Sequence, residues 1–271
     1  MNVEVTAIVA FRLTTAEPER LLRFYEGLGF VAGACERIPD DEIALLGLKK
    51  GGTRLPLRLG EQRLDLDRFD DLGRSYPAAA TSADLCFQHL ALVTVDAAAA
   101  WADAVALGAA PISSNGPVTL PASAGGVTAI KFRDPEGHPL ELLQFSSESE
   151  SRRRGAGVLG IDHSAISVSD AGASCHFYRA LGLSMQGRTL NHGPTQMALD
   201  GLARVKVDVV PMMPRRDTPH LELLAYREPV GRTADRLEAN DVAATRIVWA
   251  ANHDALVRDP DGHLHLLRGK R

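Results

Sequence analysis

Four residues stand out for the chemistry they can carry. His89 and His163 each sit in a mostly apolar run, and Glu141 and Glu222 are flanked by leucines in Pro139-Leu140-Glu141-Leu142-Leu143 and His220-Leu221-Glu222-Leu223-Leu224. Imidazole and carboxylate ligate divalent cations, and both can accept and return protons. A single histidine on an apolar strand reads as core packing. A glutamate between leucines on an inward face is harder to explain that way, because an unpaired buried carboxylate is costly. The two pairs also match in spacing, with His89 and Glu141 52 positions apart and His163 and Glu222 59 apart. Two matched pairs favour a metal over packing.

The elements that position these residues follow from an internal repeat. Phe24-Tyr25-Glu26-Gly27-Leu28-Gly29-Phe30 recurs as Phe177-Tyr178-Arg179-Ala180-Leu181-Gly182-Leu183, and Asp134-Pro135-Glu136-Gly137-His138 recurs as Asp259-Pro260-Asp261-Gly262-His263. Phe87 to Val93 resembles Gly160 to Ile166. Three matches in the same order mark a duplication, and each half holds two smaller units.

In the first unit, Val3–Leu13 reads as a strand and the segment from Pro18 through Tyr25 as an amphipathic helix ended by Gly27 and Gly29. Glu42–Leu48, Arg54–Leu59 and Gln62–Phe69 read as strands. In the second, Leu85–Val95 reads as a strand and Asp96 as the cap of a helix over Ala97–Leu107. Val127–Arg133 and Pro139–Phe145 then form a hairpin around the Asp-Pro-Glu-Gly turn. The third unit spans 158–226. The fourth, 241–271, has room for strands and shows no helix pattern.

This order, with its Phe-Tyr…Leu-Gly helix end and Asp-Pro-(Glu/Asp)-Gly-His turn, resembles the vicinal oxygen chelate superfamily. Its members include glyoxalase I, methylmalonyl-CoA epimerase, extradiol dioxygenases and the fosfomycin and bleomycin resistance proteins. The resemblance implies an α+β fold of tandem βαβββ modules forming two half-barrel, glyoxalase-like domains, the fourth module truncated. The first half would span 1–147 (modules 1–72 and 85–147), followed by a linker, 148–157, and a second half, 158–271 (modules 158–226 and 241–271). Modules can pair as neighbours within each half. They can also pair second with third across the linker and first with fourth, as in some four-module glyoxalase relatives.

The same resemblance implies two metal ligands per module, one on its first strand and a glutamate on its last. The second module offers His89 and Glu141, and the third offers His163 and Glu222. In the first, the strand position falls near Ile8 or Ala10, and only Asp65 resembles the glutamate. In the fourth, counting from the turn motif gives Leu266, with His265 on the opposite face. The expectation is one His89–Glu141–His163–Glu222 site for a divalent transition metal (Ni, Co, Mn, Fe or Zn), with Glu141 or Glu222 as general base. Two imidazoles and two carboxylates suit an octahedral ion and leave two positions for vicinal substrate oxygens.

The function implied is glyoxalase I- or epimerase-type proton abstraction next to a carbonyl, an isomerase or lyase reaction on a small oxygenated metabolite. The alternatives are an Fe(II) extradiol dioxygenase and a binder of the bleomycin-resistance kind. Lys131, Arg133, Asn191, His192 and Gln196 are candidate substrate contacts, the last three in a segment read as introducing a strand. His138 and His263 read as structural, and His176 as a surface or interface residue.

Composition limits the partners. The chain has 271 residues, a net charge of −4, and only 8 Phe, 4 Tyr and 2 Trp, which argues against a nucleic-acid partner. There is no apolar run of spanning length and no export signal at the start, so a cytoplasmic monomer or homodimer is expected. Cys35, Cys86 and Cys175 are too few and too scattered for a disulfide framework and are expected to be reduced and mostly buried.

Overall fold

The computed structural model describes residues 4–146, 157–216, 219–233 and 235–269; apart from Gly157, the linker read at 148–157 lies outside them. The first module contains β1 (Val5–Thr14), α1 (Pro18–Gly27), β2 (Val31–Ala32), β3 (Glu36–Arg37), α2 (Asp40–Leu45), β4 (Gly52–Leu59) and β5 (Gln62–Phe69). The second contains β6 (Gln88–Thr94), α3 (Ala97–Ala106), β7 (Ala110–Pro111), β8 (Val118–Thr119), β9 (Thr128–Arg133) and β10 (Pro139–Gln144). The third contains β11 (Val158–Ser167), α4 (Ala171–Ala180), β12 (Ser184–Met185), β13 (Thr189–His192), α5 (Pro194–Asp200), β14 (Lys206–Met213) and β15 (His220–Glu228). The truncated fourth contains β16 (Arg246–Ala251), β17 (Ala255–Arg258) and β18 (Leu264–Gly269), with no helix among its described residues. The fold is α+β, built from these modules.

Local chemistry sets the helices. Pro18 opens α1 where no N–H is needed, and Leu21, Phe24 and Tyr25 form its buried stripe. The carboxylates of Asp96 and Asp170 accept backbone N–H groups at the starts of α3 and α4. Gly29 and Gly182 follow the repeated Phe-Tyr helices at φ values of +95° and +98°, which glycine adopts without strain.

Two readings are corrected. Glu42–Leu48 is not a strand, because Pro39 and the acidic turn Asp40-Asp41-Glu42 start α2 instead. Asn191 and His192 end β13, and Gly193 at φ +87° leads into α5 rather than a strand. All three cysteines are free, but Cys35 is exposed.

The sheets do not follow the halves of the chain. Modules two and three form a ten-stranded sheet, seamed by the antiparallel pair β6–β11. Modules one and four form an eight-stranded sheet, seamed by β1–β16. One hydrophobic core takes side chains from both sheets and from α1, α3 and α4, including Tyr25, Leu92, Phe132, Tyr178 and Trp249.

The repeated motifs join one sheet to the other. Tyr25 Oη donates to Asp134 Oδ2 at 3.0 Å, and His138 lies between Asp134 Oδ2 (2.8 Å) and the Thr14 carbonyl (3.0 Å). In the second copy Tyr178 Oη donates to Asp259 Oδ2 at 2.9 Å, and His263 meets the Ser167 carbonyl at 2.9 Å. His265 lies in the core between Trp249 and Tyr178, with Trp249 donating to its Nδ1. Burial lowers His265 to about 4, so the ring is neutral. Among the described residues no helix is long and apolar enough to cross a membrane.

Removing either tyrosine hydroxyl leaves a buried carboxylate short of a donor. Tyr25→Phe and Tyr178→Phe are each expected to lower the free energy of unfolding by about 1–3 kcal/mol. Urea denaturation measures this, and an unchanged midpoint in both variants refutes the role given to the clasps.

Candidate metal centre

Strand register brings the four sequence-selected residues onto one face of the ten-stranded sheet. In one row Glu141 on β10 stands beside Ala91 on β6, Ala91 faces His163 on β11, and His220 on β15 comes next. In the next row His89 on β6 faces Ala165 on β11, with Glu222 on β15 beside it. Each row therefore has a buried alanine between its histidine and its carboxylate. A methyl group leaves space above the sheet, and the flanking long side chains lean into it. The alternate residues Leu90, Leu92, Leu140, Leu142, Leu221 and Leu223 face the core.

The polar atoms converge. His89 Nε2 lies 2.9 Å from Glu141 Oε2, His163 Nε2 lies 3.9 Å from the same oxygen, and His163 Nε2 lies 3.5 Å from Glu222 Oε2. Glu222 Oε1 is also 3.5 Å from His220 Nε2. His163 Nδ1 is held by Asp162 Oδ2 at 3.1 Å. Asp162 reaches its neighbour because a bulge between Ile161 and His163 breaks the strand's alternation.

Burial and neighbouring charges set the protonation of these groups. Burial pushes Glu141 up, but His89, Lys131 and His163 outweigh it and hold the carboxyl at about 2. Burial also opposes a charge on His163, yet Glu222, Asp162 and Glu141 raise it to about 9. His89 goes the other way, because burial outweighs the pull of Glu141 and lowers it. It is therefore the neutral imidazole, the form that donates a lone pair.

The donor set fits a divalent ion. His89 Nε2 and His163 Nε2 are buried and make no hydrogen bond among the described residues, so the contact of His89 with Glu141 is close but out of line. Ligands about 2.1 Å from one octahedral ion lie about 3.0 to 4.2 Å apart, and the first three separations span 2.9–3.9 Å. The ligand atoms of His89, Glu141 and His163 all lie within 4.8 Å of one another, as do those of Asp162, His163 and His220, and Glu222 stands at the edge of the first group, its side chain 20% exposed.

A cavity of about 340 Å³ opens over this face. Lys131, opposite Glu141 on β9, is buried in its wall with Nζ 2.6 Å from Asp200 Oδ1. Gln196 Nε2 donates to Asp200 Oδ2 at 2.9 Å, leaving its own Oε1 buried without a partner. Arg188 and Asn191 also line the cavity.

Arg133 and His192 do not. Arg133 donates to the carbonyls of Gly137 and Ala80 and stacks on Tyr76, holding the turn motif; His192 is exposed. The sequence reading missed Asp162, His220, Asp200 and Arg188. His220 was within reach, since the i,i+2 spacing to Glu222 puts both on one face.

The eight-stranded sheet repeats the two rows with other residues. Arg246, Arg12 and Asp65 occupy the row of His89, Ala165 and Glu222, and Leu266, Val248 and Ala10 occupy the row of Glu141, Ala91 and His163. A proline stands beside the acid in both sheets, Pro211 next to Glu222 and Pro56 next to Asp65. Arg12 replaces the central alanine, and its guanidinium bonds Asp65 and, at very short range, Glu42. Arg54 binds Asp67 at 2.7 and 2.9 Å and Glu42 at 2.6 Å, and Arg246 reaches Asp67 at 3.2 Å. All six of these side chains are buried. On this face the Arg12 guanidinium fills the space that Ala165 leaves open in the other sheet.

Residues 160–265 match the family described as the Glyoxalase/Bleomycin resistance protein/Dioxygenase superfamily. No curated protein matches the chain. Among solved structures, glyoxalase I from Zea mays superposes with a TM-score of 0.60 at 14% identity, covering 98% of this chain and 92% of that one. A mutant of that enzyme gives 0.62 at the same identity and coverage. A Bacillus subtilis protein proposed to be a dioxygenase gives 0.57 at 13% identity, covering 97% and 85%. At these identities the likeness is one of fold.

The charge on His163 has a consequence for stability. Its pKa in the fold, about 9, lies above the ordinary 6.5. Its stabilising contribution is therefore complete below pH 6.5 and is lost as pH rises through 9. In chelator, the stability difference between the unmodified protein and His163→Gln is expected to shrink over that range by up to about 3 kcal/mol. Chemical denaturation at several pH values measures it, and a difference that does not vary with pH contradicts the assignment.

Proposed function

We propose that the chain is a four-module member of the glyoxalase, bleomycin resistance and dioxygenase superfamily and that it acts as a divalent-metal-dependent lyase or isomerase. It abstracts a proton next to a carbonyl of a small oxygenated metabolite. The observation that carries this reading is the convergence of His89, Glu141, His163 and Glu222, with two buried Nε2 atoms that make no hydrogen bond among the described residues.

Bound there, a transition ion (Ni, Co, Mn, Fe or Zn) supplies Lewis acidity toward the substrate oxygens. The residues do the rest. Glu141, held ionised beside His89, stays as a fixed ligand. Glu222 is the general base. It lies at the edge of the group, and its second oxygen already faces His220. It takes the proton from the carbon beside the carbonyl and returns it to a neighbouring atom of the substrate. Lys131, kept charged by Asp200 and Glu141 despite its burial, donates to a substrate oxygen that carries negative charge, and Gln196 orients the same end.

A second reading has its own support. The tight His89–Glu141–His163 group is a two-histidine, one-carboxylate face of the kind that Fe(II) oxygenases use. The drug-binding reading is weaker, since Phe145 is the only Phe, Tyr or Trp in the cavity wall.

Protein purified without chelator is expected to hold one transition ion per chain, lost in His89→Ala and in Glu222→Ala. With α-hydroxycarbonyl probes in D2O, the enzyme should wash deuterium into the C–H position, and Glu222→Gln should slow this by about 10²–10⁴-fold. Metal retained after either alanine change would sink the shared site. Oxygen uptake with catechol and Fe(II), without deuterium wash-in, selects the dioxygenase reading.

A further inference from the structure

The eight-stranded sheet carries a second cleft at the place equivalent to the metal centre. It encloses about 280 Å³ and is lined by Val9, Ala10, Val248 and Glu61 together with Arg12, Arg58, Arg63 and Arg268. The carboxylates that would attract a cation are spoken for beneath it: Asp65 by Arg12 and Arg63, Glu42 by Arg12 and Arg54. Leu266 stands where the metal centre has Glu141.

Guanidinium donors remain on the open side. Arg58 is exposed at the rim and makes no ion pair among the described residues. Arg268 Nη1 is buried and makes no hydrogen bond among the described residues; Asp254 Oδ2 lies 3.3 Å and Glu42 Oε2 3.9 Å from it, and Asp41 Oδ2 lies 4.0 Å from Nη2. Arg63 spends Nε on Asp65 and Nη2 on Glu36. Glu61 is the only acid among the described lining residues, and it is exposed. A larger cavity of about 410 Å³ shares Val9, Ala10, Glu61 and Arg63 and extends to Arg216. Planar guanidinium forks match the paired oxygens of phosphate and carboxylate.

We propose that this cleft binds a small organic anion through a phosphate or carboxylate group held by Arg58, Arg63 and Arg268, with its organic part lying along the cavity toward Arg216. The duplication has in this view made two sites of opposite charge preference, one for a cation and one for an anion.

Calorimetry on the full chain, metal-loaded and chelator-treated, tests this with inorganic phosphate and with succinate at constant ionic strength set by chloride. The expected result is saturable binding of one anion per chain, the same with and without metal. Arg58→Glu should weaken it by about tenfold or more and leave metal content unchanged. Preference for phosphate or for succinate identifies the head group. Binding that never saturates, that vanishes with the metal, or that survives both Arg58→Glu and Arg268→Ala overturns the proposal. Melting curves without anion confirm that each variant is folded.

Discussion

The structure depends on two antiparallel seams between strands far apart in sequence, β6 with β11 and β1 with β16. Each seam joins two modules so that their first strands lie side by side, and the last strands, β10 and β15 or β5 and β18, flank them in parallel register. Residues from four strands then share a face within two rows. The His89–Glu141–His163–Glu222 set needs two modules, because each supplies one first-strand and one last-strand residue to it. Pairing second with third puts both His/Glu pairs on the same sheet.

The Tyr–Asp–His clasps keep this arrangement rigid. Each links modules within one half of the chain, Tyr25 to Asp134 and Tyr178 to Asp259, while the sheets link modules across halves. Every module is therefore tied to one partner by backbone ladder and to another by a buried polar contact. His138 and His263 reach strand carbonyls at Thr14 and Ser167, which fixes each turn motif against the other sheet. Buried and partnered, such groups specify a unique packing more than they add net stability.

The motifs of the clasps were legible in the sequence because they are local and repeated. So were the long strands, the cap of α3, and the lost helix of the fourth module. α2 and α5 were not. Ile43 and Leu46 in the Glu42–Leu48 stretch pack as a short helix on Ile38 and Phe69, a contact with no local signature. Asp162 escaped because a bulge overrides the alternation from which faces are read. Arg12, Arg54 and Arg246 sit on strands with no local sign of their burial. Their burial depends on acids brought from α2 and β5, which only the tertiary fold supplies.

The fates of the two rows follow from one position. Where the central residue is alanine, as at Ala165, the flanking histidine and glutamate face open space. Arginine at the equivalent Arg12 brings the cation within the chain, and a buried guanidinium among carboxylates needs no further ion. Burial still costs such groups: Arg246 is lowered to about 10, against the pull of Asp67. It remains charged at neutral pH, and its neighbours hold Asp67 ionised in turn. Removing Asp65 or Asp67 would strand a buried charge. Leu266, Val248 and Ala10 pack together, so the row that carries Glu141 and His163 in the other sheet is here an apolar floor beside the arginines.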